Sequence, residues 1–228
     1  TETALETVTL PHAPEVIDVP SVDSFRRPPR LSLAIRGVGG QGNLFFGKVL
    51  AQVAFLAGYD DRNILKGETH GMAQMGGPVI STFGCGEVFS PALVPGTANV
   101  LIAMEKAEVL RPGFLDLLEP GGTVLMADTR ILPHGLKPEA YPSDEAIAAQ
   151  LEGYRVVSVD VLSIALNLGD PKGRCANVAM LGVLSTLPPF DVVPETVWLQ
   201  ALRGISRKPA LWDLNHAAFM AGRGMQKG

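Results

Sequence analysis

An α/β doubly wound fold, a mostly parallel sheet with helices on both faces and a helical C-terminal tail, is what this sequence predicts, on three observations. A strand-like apolar run passes through a knot of glycines into a long apolar helix, "LSLAIRGVGGQGNLFFGKVLAQVAFLAG", over residues 31–58. Short, wholly apolar runs such as "VLIAM" and "TVLMAD" recur, which suits strands covered on both faces rather than strands with one wet side. After Gly169 the pattern changes to helix-like segments with no further strand.

In chain order, residues 1–30 carry Pro11, Pro14, Pro20, Pro28 and Pro29 and almost no period of either kind, so they read as an extended arm or linker. Strands are predicted over 31–37, 78–84, 99–104, 123–128 and 155–160, with a further short one near 62–66, and a helix over 43–57. The tail reads as three helices, 176–187, 194–205 and 209–221, with Pro194 and Pro209 where a missing N–H costs a helix nothing. The chain thus divides into an arm (1–30), an α/β domain (31–170) and a helical extension (171–228).

Composition narrows the function. The 228 residues are 46% hydrophobic and 18% charged with a net charge of −4, a globular balance without the basic footprint of a nucleic-acid binder. No apolar run reaches the roughly 18 residues that a membrane span needs, and residues 1–20 lack the basic-then-apolar order of a signal peptide, so a cytoplasmic protein is expected. Two cysteines, Cys85 and Cys175, stand far apart with no CxxC pair. An iron–sulfur cluster wants four thiolates and structural zinc four clustered ligands, so both cysteines read as small buried apolar residues and no metal is expected.

The chemistry-bearing stretch is "GVGGQG", Gly37 to Gly42. It satisfies GxGxxG, follows a strand and opens a helix, the Rossmann-like context that raises the motif above chance. Gly37 permits a tight turn, Gly39 and Gly40 bring backbone close to a ligand, Gln41 lies within the loop, and Gly42 lets helix and strand pack, with a helix N-terminus offering free N–H groups to an anion. A nicotinamide cofactor also needs an acid at the end of the second strand. Asp60 and Asp61 come before that strand, whereas Glu68 is better placed by topology but late, so the NAD fingerprint is incomplete. Among acids that close apolar runs, Glu105 is the candidate to hold a nucleotide hydroxyl or a partner's basic group, while Asp128 and Asp160 read as helix caps.

A second glycine-dense stretch, "GETHGMAQMGGPV", reads as a shaped loop, with His70, Gln74, Met75, Gly76 and Gly77 as candidates for ligand or partner contact. Trp198 and Trp212 lie on tail helices, one of them a candidate partner anchor and the other core.

The motifs "GVGGQG", "HGMAQMGG", "NVLIAMEKAEVLR", "LEPGGTVLMAD" and "NVAMLG", in that order over residues 31–190, resemble the gamma subunit of the 2-oxoacid:ferredoxin oxidoreductases, the indolepyruvate type above all. The resemblance implies a complex that oxidatively decarboxylates a 2-oxoacid to an acyl-CoA and passes electrons to ferredoxin. It implies that thiamine diphosphate, magnesium and iron–sulfur clusters belong to partner subunits, with this chain a non-catalytic, coenzyme A-facing piece. It also places Asn177, beside Arg174 at a helix start, near a subunit contact. One departure is Met75, where similar members carry arginine; a thioether packs but cannot pair with a phosphate or carboxylate. A stand-alone NAD- or flavin-dependent oxidoreductase and a purely structural module are the competing readings.

Overall fold

The computed structural model describes residues 8–69, 77–132, 137–206 and 208–225. A six-stranded sheet runs β2-β3-β1-β4-β5-β6, built from β1 (Arg30–Val38), β2 (Ile64–Thr69), β3 (Pro78–Gly86), β4 (Ala98–Ala103), β5 (Leu118–Ala127) and β6 (Arg155–Val159). β1, β4, β5 and β6 pair in parallel, as the wholly apolar runs require, and helix α1 (Asn43–Leu56) crosses over between β1 and β2. The α/β expectation holds, with one refinement. β3 lies antiparallel between β1 and β2, because the link from Thr69 to Pro78 is shorter than the dozen or so residues a parallel crossover needs.

One sheet face is covered by α1, α3 (Val161–Asn167), α4 (Ala176–Leu184), α5 (Glu195–Ile205) and α6 (Pro209–Gly224), and the largest apolar cluster lies there, from Leu33, Ile35 and Ile102 to Trp198 and Phe219. The other face is covered by α2 (Asp144–Gln150), by 3-10 turns and by Leu93, over Ala34, Leu101, Val124 and Met126. No α-helix joins β4 to β5; Pro112 and Gly113 follow a 3-10 turn over Lys106–Leu110, and Gly113 takes a positive φ of 78°.

The tail is central to packing. All nine residues of α4 are buried, and an apolar, all-round helix of this kind belongs inside a core. Gly182 of α4 faces the Phe219 carbonyl and Gly222 of α6 faces the Ala179 carbonyl, so the two backbones approach with no side chain between them. Trp198 is fully buried between Phe190 and Phe219, with ring centroids 6.4 Å away in each case. Trp212 is also buried, and its Nε1 donates to the Pro14 carbonyl at 3.0 Å. Neither tryptophan is therefore exposed as a partner anchor; Trp212 holds the chain's own arm.

That arm packs on its own chain along much of its length. Ala13 N–H donates to Asp213 Oδ1 at 2.8 Å, the Tyr59 hydroxyl donates to the Pro28 carbonyl at 2.8 Å, and Ile17, Val19 and Phe25 pack against the core. Among the described residues, no helix is long and apolar enough to cross a membrane.

Candidate functional site

The glycine loop lies at the carboxyl edge of β1, where ligands of open α/β sheets bind. Gly37 is still in the strand; a Cβ there would stand 2.7 Å from Gln41 Oε1 and 3.0 Å from Met104 Cβ. The space it leaves is filled by the Gln41 amide, which accepts from Val38 N–H at 2.7 Å and donates to the Met104 carbonyl at 2.7 Å. Gln41 thus ties the loop to β4 rather than presenting itself to a ligand. Gly40 and Gly42 take φ of +96° and +86°, left-handed values that favour glycine. Gly42 caps α1 with no side-chain capping bond, and a Cβ there would run into the Asn177 amide of α4.

Two loop amides are already committed to backbone. Gly39 N–H donates to the Gly77 carbonyl at 3.1 Å and Gln41 N–H to the Val38 carbonyl at 3.2 Å. The N–H groups of the first turn of α1 have no intrahelical acceptor and remain as donors at this edge.

Beside the loop, between α1 and the β2–β3 hairpin, is a cavity of about 210 Å³ lined by Val38, Gly39, Gly40, Gly42, Asn43, Leu44, Glu68, Val79 and Ser81. Its walls are mostly aliphatic. Two buried polar side chains break them: Asn43, whose Oδ1 and Nδ2 both lack a hydrogen-bond partner, and Ser81, whose Oγ lacks one. Buried groups of this kind are normally satisfied, so each marks a place for an absent acceptor or donor. Asn177, on the far side of Gly42, is a third side chain near the loop with an unpartnered atom, its Oδ1.

The structure brings Gly39, Gly40, Gly42 and Glu68 together on the cavity wall, with Gly37 and Gln41 underneath and Asn177 behind. It does not bring Glu105 there. That carboxyl is buried and accepts from the Tyr141 hydroxyl and from the Ile131 backbone amide, so it ties together the segments after β4 and β5. Burial pushes its pKa above the ordinary glutamate value, against those hydrogen bonds. His70, Gln74, Met75 and Gly76 lie outside the described residues, and Gly77 enters only through its carbonyl on Gly39.

The other acids are structural. Asp160 caps α3 through Ser163 N–H at 3.0 Å, as the sequence suggested. Asp128 pairs instead with the buried Lys106 at 2.7 Å, which also holds Asp144 at 2.8 Å. Asp60 precedes β2 and is paired with Arg62 at 2.6 Å, which removes it as a ribose ligand. Cys85 and Cys175 are free and buried, and burial raises each thiol to about 12. Among the described residues no three His, Cys, Asp or Glu side chains gather as a metal site.

Sequence reasoning passed over Asn43 and Ser81. The signal was present: Asn43 directly follows the last glycine of the motif, and Ser81 shares the inward face of β3 with Val79 and Phe83, a polar residue in an apolar row.

Against known families, residues 32–225 match the model described as pyruvate ferredoxin/flavodoxin oxidoreductase. The indolepyruvate oxidoreductase subunit IorB of Archaeoglobus fulgidus is 35% identical over 159 residues, 68% of this chain and 76% of that protein. Among solved structures, the pyruvate oxidoreductase subunit PORC of Thermotoga maritima superposes with a TM-score of 0.63 at 20% identity, over 86% of this chain and 97% of that one. The 2-oxoglutarate:ferredoxin oxidoreductase of Magnetococcus marinus, solved with 2-oxoglutarate, coenzyme A and succinyl-CoA bound, superposes with a TM-score of 0.64 at 20% identity, over 88% of this chain but only 32% of that one.

Proposed function

The chain belongs to the pyruvate ferredoxin/flavodoxin oxidoreductase family, and from that premise we propose that it is the small, non-catalytic subunit of a 2-oxoacid:ferredoxin oxidoreductase acting on an aryl pyruvate. The reaction of such a complex joins a 2-oxoacid anion and coenzyme A to give an acyl-CoA and carbon dioxide, and releases two electrons and one proton, the electrons passing to ferredoxin. Thiamine diphosphate with magnesium, and the iron–sulfur clusters, are assigned to partner subunits. This chain's two cysteines are too few for a four-thiolate cluster. The chain is an enzyme only within its complex, a cytoplasmic assembly on this reading.

Its own share is a binding wall for coenzyme A at the glycine loop, together with subunit contacts. The observation that carries this is the cavity at the strand-to-helix junction with Asn43 and Ser81 buried and unpartnered inside it. The IorB relative's name supports the indolepyruvate assignment, and the coenzyme A bound in the Magnetococcus enzyme supports the ligand. Residues 1–30 serve as an arm, 31–170 as the ligand-facing unit and 171–228 as its helical cover. A free-standing NAD enzyme is disfavoured by the pairing of Asp60 with Arg62.

The test is reconstitution. The isolated chain is expected to oxidise no 2-oxoacid, and addition of its large partner subunit is expected to give coenzyme A-dependent reduction of ferredoxin or a viologen dye by indolepyruvate. Turnover by the isolated chain, or a reconstituted complex indifferent to its presence, refutes the assignment.

A further inference from the structure

Resting on the assignment of coenzyme A to the glycine-loop cavity, we propose that the cavity receives the neutral, amide-bearing aliphatic arm of that molecule, that Asn43 and Ser81 read its amide groups, and that its phosphates stay outside. Size decides first. Pockets that enclose a whole drug-sized ligand run from about 300 to 1,000 Å³, whereas this one holds about 210 Å³. Only part of a long ligand enters.

Chemistry decides which part. Val38, Leu44 and Val79 make the walls aliphatic, so the interior is adverse to a phosphate and hospitable to a methylene chain. Of the loop amides, those of Gly39 and Gln41 are held by the Gly77 and Val38 carbonyls, which leaves fewer donors for a phosphate. What the interior does offer is one carboxamide with donor and acceptor both unused, and one hydroxyl. A primary amide is matched by another amide: Asn43 Nδ2 donates to a ligand carbonyl and Asn43 Oδ1 accepts from a ligand N–H, while Ser81 Oγ serves either. A ligand arm built of methylenes punctuated by amides satisfies these buried groups and the apolar walls at once.

The experiment uses the reconstituted complex, with calorimetric titration of coenzyme A, of pantetheine, which has the arm without phosphates, and of adenosine 3′,5′-bisphosphate, which has the charged half without the arm. Pantetheine is expected to compete with coenzyme A, and N43L is expected to weaken coenzyme A and pantetheine about tenfold, the loss of one buried hydrogen-bonded amide, with S81A weakening them less. Binding of the bisphosphate is expected to be unchanged in both variants. Should the bisphosphate compete while pantetheine does not, or should pantetheine binding ignore both substitutions, the inference falls and coenzyme A remains the ligand. If coenzyme A itself fails to bind the complex, the functional assignment falls with it. Where N43L fails to fold, N43D and S81A take its place, and pantetheine binding indifferent to both overturns the inference.

Discussion

Gly40 and Gly42 differ by two positions and share a left-handed backbone, yet the structure gives their replacement by alanine different costs. Gly40 has a φ of +96° and no atom within 4 Å of an added Cβ, so G40A meets only backbone strain, about 1–2 kcal/mol for an L-residue held in that region. Gly42 has a φ of +86° and an added methyl would collide with the Asn177 amide. An overpacking cost of about 1–3 kcal/mol adds to the same strain, so G42A is expected to lose about 2–5 kcal/mol. Against the 5–15 kcal/mol typical of a domain, roughly, that leaves a folded but clearly weakened protein. Equilibrium unfolding in urea of G40A, G42A, N177A and G42A/N177A measures the separate parts. Removing the Asn177 side chain is expected to return only the collision part of the loss, a favourable coupling of about 1–3 kcal/mol. Equal losses for G40A and G42A, or a double mutant whose losses simply add, would refute the placement of Asn177 against the loop.

Q41L should destabilise the chain by about 1–3 kcal/mol, because Val38 N–H and the Met104 carbonyl lose the partner that joins them; a denaturation midpoint like that of the parent counts against the tie. G182A should be destabilising by about 1–3 kcal/mol although alanine is the better helix former, since its methyl would press on the Phe219 carbonyl where α4 meets α6, and an unchanged or higher melting temperature would exclude that close approach. Glu105 should titrate above the ordinary glutamate range in a carbon-13 carboxyl NMR experiment, and higher still in Y141F, which removes a donor to the charged form. The folded chain then binds this proton more tightly than the unfolded chain. Its stabilising contribution is therefore complete below the unfolded pKa and lost as pH rises through the folded one, and a Glu105 that titrates at or below the ordinary value overturns this account.

The strands, α1 and the three tail helices were legible because their signals are local: apolar runs, a glycine knot, prolines at helix starts. The direction of β3 was legible in principle from the short link before it, but strand-like composition is the same for either direction. The burial of both tryptophans was not legible, since an apolar residue on a helix reads alike whether it faces a partner or its own chain; only the contact of Trp212 with Pro14, almost two hundred residues away in sequence, distinguishes them. The bond of Glu105 to the Tyr141 hydroxyl was not legible, because an acid at a strand end carries no mark of a tyrosine 36 residues later.

The glycine motif shows the same limit at the scale of six residues. Its glycines specify a shape, a strand turning sharply into a helix, and that shape serves phosphate binding only if the loop amides are free. Here the intervening residues decide otherwise. Gln41 reaches back to Val38 and across to Met104, and Gly39 is bonded to Gly77, so the loop is closed on itself before any ligand arrives. A loop fixed in this way loses little freedom on binding, which favours affinity, but has fewer donors with which to choose a ligand. Selection then passes to the side chains beside it, and among the described residues lining the cavity Asn43 and Ser81 have buried polar atoms still unpaired. Discrimination among ligands at this site is therefore expected to follow changes at positions 43 and 81, while changes at positions 37 to 42 act through the stability of the loop.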